Sequence, residues 1–275
     1  MKQLLFFWIL TILLMACQHT SEKSKATPSE GAPKKNILAI VAHADDETFF
    51  SPLLSKYAAE HDVHLVIVTN GDKGVRDHAA IPAGDTLRKV RLTEATRACE
   101  CLGIEPPIFL EYGDGRLHEW EPLFSLDNKI DSLFQLYRPD AVITWGPDGG
   151  YGHPDHRIVH SIVTEVFQKA LPQPESQLFY YGLPQSVLNK MQSFKSPMGD
   201  YFKTNTHPTA LEYLTYRIPF SEKDLVAGRE AFACHASQFT PDEMDDIYRI
   251  VAESDSIIYL RPWNGSSEIK YDLFD

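Results

Sequence analysis

Residues 41–50 read VAHADDETFF. One imidazole, His43, precedes three consecutive carboxylates, Asp45, Asp46 and Glu47, and the whole group follows NILAIVA (36–42), an apolar run that reads as a buried strand. Desolvation and mutual repulsion both oppose acids at such a place, and a divalent cation would offset them. A second cluster, Gly152-His153-Pro154-Asp155-His156, follows another strand-like run, DAVITW (140–145). Histidine nitrogens and aspartate oxygens are zinc ligands, and a catalytic zinc site keeps one position open. His43 and Asp46 lie three apart at a strand-to-helix turn, a spacing that can aim both at one ion. Asp45 must then point elsewhere, and a carboxylate beside the open position is a natural general base. Each cluster also has a plainer reading. Acids at a helix N-terminus complement its dipole by about 0.3–1 kcal/mol each, and HPDH fits a surface turn bent by Pro154. Two such clusters at equivalent strand ends favour the metal.

The elements that must position these residues alternate. Strand patterns at 36–42, 63–70, 106–112 and 140–145 are interleaved with helix patterns at 47–61, 85–103, 122–137 and 156–171. Asp85 is the expected N-cap of the second helix and Gly103 its C-terminal stop. Such alternation implies βαβ units with right-handed crossovers. The expected fold is therefore α/β: a single Rossmann-like domain with a mainly parallel sheet flanked by helices. In open parallel sheets, ligands gather beyond the carboxyl ends of the strands, where both clusters fall. Beyond residue 175 the alternation weakens into an irregular C-terminal third, with strands expected at 177–182, 210–219 and 257–261 and a helix at 221–237 capped by Ser221.

The 275 residues are 43% hydrophobic and carry a net charge of −12. That length suits one generous domain, and that charge leaves no basic footprint for nucleic acid. MKQLLFFWILTILLMAC has one basic residue, Lys2, and an apolar stretch from Leu4 to Met15, short for a membrane span and suited to a signal-peptide core. Its end, Leu14-Met15-Ala16-Cys17, resembles the bacterial lipoprotein lipobox. That resemblance implies residues 1–16 as signal peptide, lipidated Cys17 as the sole membrane attachment, and an exported lipoprotein facing periplasm or cell exterior. An ordinary secretory signal with an incidental cysteine is the other reading. Residues 17–35, rich in Ser, Pro and Lys, read as a tether, leaving 36–275 as the domain. Cys99, Cys101 and Cys234 suggest neither a disulfide framework nor a metal pair, and read as small buried hydrophobes.

AHADDE followed by GHPDHR resembles the PIG-L-type (LmbE-like) family of zinc-dependent N-deacetylases. TNGDKG, Arg91-Leu92-Thr93-Glu94, the Gly-Asp-Gly at 113–115 and His235-Ala236-Ser237-Gln238 appear in the family's order. Ala44 stands where the family usually has proline, so altered loop stiffness is expected with the ligands kept. The resemblance implies His43, Asp46 and His156 as Zn2+ ligands and Asp45 as general base. His153 would be the acid or electrostatic partner of the oxyanion, and Asp155 a carboxylate orienting an imidazole. Arg91 and Asp114 match positions near the substrate, although Arg91 could instead pair with Glu94 and Asp114 could simply make its turn. His235 and Gln238 match a motif but read as structural. Glycines 149, 150 and 152 suggest mobility around His153. The implied activity is removal of the acetyl group from an N-acetylglucosamine-type glycoconjugate. The alternatives are a metal-dependent hydrolase of another amide or a phosphoester, and a non-catalytic, lipid-anchored glycan-binding module.

Overall fold

The computed structural model of the chain describes residues 33–170 and 174–275. The expected signal peptide, Cys17 and most of the tether lie outside the described residues. Residues 34–275 form one compact unit.

In chain order the unit runs β1 (Asn36–Val41), a 3-10 turn (Asp46–Phe50), α1 (Ser51–Ala58), β2 (Asp62–Thr69), α2 (Asp85–Leu102), β3 (Ile108–Tyr112), α3 (Trp120–Tyr137) and β4 (Ala141–Trp145). A kinked turn, α4 (Gly149–Gly152), leads into α5 (Pro154–Ala170) and β5 (Gln177–Tyr181). Then come α6 (Gln185–Leu188), a second 3-10 turn (Asn189–Ser193), α7 (Pro197–Asn205), β6 (Tyr216–Pro219), α8 (Glu222–Ala233), α9 (Pro241–Ala252) and β7 (Ile257–Pro262).

Among the described residues the sheet has seven strands in the order β3-β2-β1-β4-β5-β7-β6. Pairings from β3 through β5 are parallel, while β7 runs antiparallel to both β5 and β6. The central strand β1 is buried on both faces, as its unbroken apolar sequence requires. Ile37, Ala39 and Val41 face one core, and Leu38, Ile40 and Ala42 the other, following the two-residue period of a strand. From β1 the chain winds outward through β2 and β3, then returns to place β4 on the other side of β1. That reversal opens a crevice beyond the carboxyl ends of β1 and β4, the position where such sheets bind ligands.

The expected parallel sheet is present, with local differences. The helix expected over 47–61 is split: a 3-10 turn comes first, and α1 begins with Pro52 in its opening turn, where a missing N–H costs nothing. Gly84, not Asp85, caps α2, with φ +104°, and Asp85 is the first helical residue. Gly103 closes that helix in the left-handed conformation. Of the strand expected over 210–219, only Tyr216–Pro219 pairs. Helix α8 has its Ser221 cap but ends at Ala233, short of 237. Helices α6, α7 and α9 were not read from the pattern, although α9 carries a Thr240/Glu243 capping box.

Helix α8 packs on α1, α2 and α9, and Gly228 makes that approach possible. A Cβ there would lie 2.5 Å from the Tyr248 hydroxyl and 2.6 Å from Ser51 Oγ. Gly228→Val is therefore expected to lower stability by about 1–3 kcal/mol through overpacking. The check is a urea titration, in which the midpoint falls with the slope unchanged.

Candidate metal centre and active-site cleft

The crevice brings the two clusters together. His43 and Asp46 leave the end of β1, and His153, Asp155 and His156 stand where the β4 loop enters α5. His43 Nδ1 lies 3.1 Å from His156 Nε2, and Asp46 Oδ1 lies 3.1 Å from that same nitrogen. Asp46 Oδ2 is 3.7 Å from His43 Nδ1. All three side chains are buried.

Hydrogen bonds on their far sides fix what these atoms can be. His156 Nδ1 donates to the Gly149 carbonyl at 3.1 Å, so in the neutral ring Nε2 presents a lone pair. His43 Nε2 faces carboxylate oxygens of Asp114 and Asp155, both at 3.2 Å. It must donate, which leaves a lone pair on Nδ1. Asp46 Oδ2 accepts from the N–H groups of Ala42, His43 and the Trp145 indole at 3.0, 2.8 and 3.3 Å, leaving Oδ1 toward the gap. Three lone pairs thus converge in a buried space. Zinc with bonds of about 2.0–2.1 Å in a tetrahedron holds its ligand atoms roughly 3.3 Å apart; the two 3.1 Å spacings at His156 Nε2 suit that ion, and the Asp46 oxygen beside His43 Nδ1 is Oδ2, at 3.7 Å. Burial works against charge on His43, yet the carboxylates of Asp114, Asp155 and Asp46 outweigh it and hold its pKa well above the ordinary value. Burial likewise opposes the Asp46 carboxylate, but His156 and His43 pull its pKa well below the usual range. In the metal-free chain a proton between these groups does the work of a cation.

Among the described residues, two groupings bring one ligand atom from each member within 4.8 Å of the others: His43 with His153 and His156, and His43 with Asp114 and Asp155; Asp46 falls in neither. The first shares His43 and His156 with the set above. In the second, the carboxylates are already engaged. Asp155 accepts from the N–H groups of Gly115 at 2.7 Å and Leu117 at 3.3 Å, and Asp114 accepts from Arg91 at 2.9 Å. The adjacent guanidinium also repels a cation at that edge, where the two carboxylates orient His43.

Asp45 borders the same cleft. Its φ of 99° places a non-glycine residue in strained backbone, held by its N–H to Glu47 Oε2 at 3.1 Å. Its side chain turns away from Asp46 toward Arg91, with Oδ2 3.3 Å from Nη2. Burial, countered by Arg91, pushes the Asp45 carboxyl up to about 7. Arg91 is only 4% exposed and also donates to the Ala44 and Lys73 carbonyls at 2.8 and 3.1 Å. Glu94 instead accepts from Ser237, through its backbone N–H at 2.8 Å and its hydroxyl at 2.6 Å, so the Arg91–Glu94 pairing does not occur. His153 lines the cleft, its ring edge-on to His43 at 4.6 Å. Its Nδ1 accepts the Asp155 N–H at 3.2 Å, which leaves the ring proton on Nε2.

The cleft encloses about 270 Å³. Its polar lining includes His43, Asp45, Arg91, Asp114 and His153, and its aromatic and apolar lining includes Tyr151, Met198, Tyr201 and Phe202. Arg91 and Asp114 both reach the cleft, but most of their polar atoms are occupied by protein partners.

Residues 38–167 match the family model described as PIG-L, GlcNAc-PI de-N-acetylase. Over those residues the chain is similar to the PIG-L-type family. It is 33% identical over 159 residues to a 1D-myo-inositol 2-acetamido-2-deoxy-alpha-D-glucopyranoside deacetylase from Rhodococcus jostii, covering 50% of this chain and 54% of that one. It thus spans about half the length of the curated relatives it matches first. A deacetylase of the same description from Thermobifida fusca is 27% identical, over 74% of this chain and 83% of its own. The fold is that of N,N'-diacetylchitobiose deacetylase from Pyrococcus horikoshii, with TM-score 0.61, 20% identity and 82% of each chain covered.

Several residues of this site escape a sequence reading. Trp145, at the carboxyl end of β4, stacks on His156 at 4.4 Å with rings 13° apart and bonds Asp46. Its place at a strand end was the available signal. His235 Nε2 meets Glu47 Oε1 at 2.6 Å, both fully buried, so Glu47 is neutralised by a histidine 188 positions away. Glycines 149, 150 and 152 all adopt positive φ, and at Gly149 and Gly150 the neighbours also leave little room for a side chain. A Cβ on Gly150 would lie 2.6 Å from the Trp145 ring.

Burial, then the neighbouring His43 and His156, lowers the His153 pKa to about 4. A lowered histidine leaves the folded chain binding fewer protons than the unfolded one between about 4 and 6.5. Its stabilisation is complete above about 6.5 and is lost as pH falls toward 4. In the metal-free chain, histidine ring NMR should place the His153 midpoint near 4; a midpoint near 6.5 contradicts this environment.

Proposed function

We propose that this chain is a zinc-dependent hydrolase that removes the acetyl group from an N-acetylglucosamine-type glycoconjugate, giving acetate and a free amine. The observation that carries it is the convergence of His43 Nδ1, His156 Nε2 and Asp46 Oδ1 beside Asp45 in one cleft. The substrate class rests on the family description and on the relatives named above, which are deacetylases of 2-acetamido-2-deoxy-glucopyranosides.

His43, Asp46 and His156 would hold the ion, an N2O donor set with a position to spare. Zinc there supplies Lewis-acid polarisation of a carbonyl and acidifies water. Asp45 accepts the proton of the attacking water. It can then return that proton to the departing amine nitrogen. Arg91 holds Asp45 in its outward rotamer. His153 is neutral near pH 7 and offers its Nε2–H to the developing oxyanion, a role worth about 2.7–4 kcal/mol for one well-placed donor. Asp155 and Asp114 orient His43 from behind. A purely glycan-binding module has no use for a complete ligand set with a base beside it.

Asp45→Asn is expected to retain one zinc per chain and lose about 10²–10⁴-fold in turnover. Metal analysis together with acetate release from N-acetylglucosaminides measures both, and a parallel assay of phosphate release from sugar phosphates tests the phosphoester alternative. Full activity in the zinc-loaded variant would remove Asp45 from the base role. We also propose export and anchoring through a lipid on Cys17, which favours an envelope or external glycan as substrate. Radiolabelled palmitate should label the chain and fail to label Cys17→Ser; equal labelling contradicts the anchor.

A further inference from the structure

Cys101 and Cys234 are 133 positions apart, yet their sulfurs lie 4.0 Å from each other. Both are free and half-buried, whereas Cys99, on another face of α2, is fully buried. All three pack as small hydrophobes, Cys99 inside the core and Cys101 and Cys234 partly buried against it. The paired thiols sit where α2 packs on α8. On α2, Cys101 lies about two turns beyond Glu94, on the same side, and about three turns beyond Arg91. Cys234 directly precedes His235, and Ser237 follows. This interface therefore joins the helix that holds Arg91 and Glu94 to the segment that holds His235 and Ser237. Glu94 bonds Ser237 across it, and His235 bonds Glu47.

We propose that Cys101 and Cys234 are a dithiol site that an oxidised low-molecular-weight disulfide converts to a reversible cross-link, stapling α2 to the end of α8 behind the active site. One cysteine thiolate attacks a sulfur of the small disulfide, forms a mixed disulfide and expels one thiolate. The second cysteine thiolate then attacks the protein sulfur of that mixed disulfide and expels the other. The two protein sulfurs lose two electrons and two protons, and the small disulfide is reduced to two thiols. The approach needed is short: a disulfide bond is about 2.05 Å, and neither sulfur is held by more than the Cys234 bond to the Glu230 carbonyl, at 3.4 Å. Closing so long a loop constrains the unfolded chain strongly, and the bond would persist in the oxidising compartment to which an exported protein goes.

The test treats the full chain with oxidised glutathione, alkylates the remaining thiols under denaturing conditions and maps the peptides by mass. The expected product is two hydrogens lighter, contains a linked peptide pair bearing Cys101 and Cys234, and reverts with dithiothreitol. Cys99→Ser, made because Cys99 and Cys101 share a tryptic peptide, should keep the link. Cys101→Ser should lose it and carry glutathione on Cys234. The cross-linked chain should melt roughly 10 °C higher than the reduced chain. Stable glutathione adducts on single cysteines of the unmutated chain, untouched thiols, a link through Cys99, or an unchanged Tm would each overturn the proposal.

Discussion

Three lone pairs cannot face one another in a buried space without positive charge between them, and the site is built around that constraint. His43 Nδ1, His156 Nε2 and Asp46 Oδ1 are each committed from behind. Asp114 and Asp155 take the far nitrogen of His43, the Gly149 carbonyl takes that of His156, and three N–H groups take the second oxygen of Asp46. None of the three can turn its lone pair elsewhere without stranding a buried partner, which costs more than the hydrogen bond itself contributes. The arrangement is preorganised for a cation because every alternative orientation is worse.

The sheet makes that convergence possible. A strand order that reverses between β1 and β4 places the ends of two distant segments side by side, with β1 and β4 in direct register. Trp145 ends β4 and carries this register into the site by stacking on His156 and bonding Asp46. The C-terminal segment then adds to the cleft: α7 supplies aromatic lining, while His235 and Ser237 neutralise or anchor acids from β1's loop and α2.

The apolar runs made β1, β2, β3, β4 and β5 legible, since parallel strands buried on both faces leave no other reading of NILAIVA or DAVITW. The two polar clusters were legible because charge at the end of such strands is costly and needs a reason. The split between Asp46 beside the histidines and Asp45 pointing elsewhere was legible too; the partners of Asp45 and Glu47 were not. A single cation was expected to offset the three charges, whereas Arg91 attends Asp45, His235 attends Glu47, and Asp46 meets His156. Arg91 and His235 come from α2 and from the segment after α8, and no local spacing encodes such long-range pairs. Helix α9 is a different kind of omission: its capping box at Thr240 and Glu243 and its helical apolar spacing, Met244, Ile247, Tyr248 and Val251, both stand in the sequence.

The choice between the two edges of His43 decides the account. Zinc-edge anomalous diffraction from crystals of the zinc-loaded chain locates the ion directly. One peak about 2.0–2.2 Å from His43 Nδ1, His156 Nε2 and Asp46 Oδ1 is the expected result. A peak on the Nε2 edge between Asp114 and Asp155, or none at either edge, would contradict it.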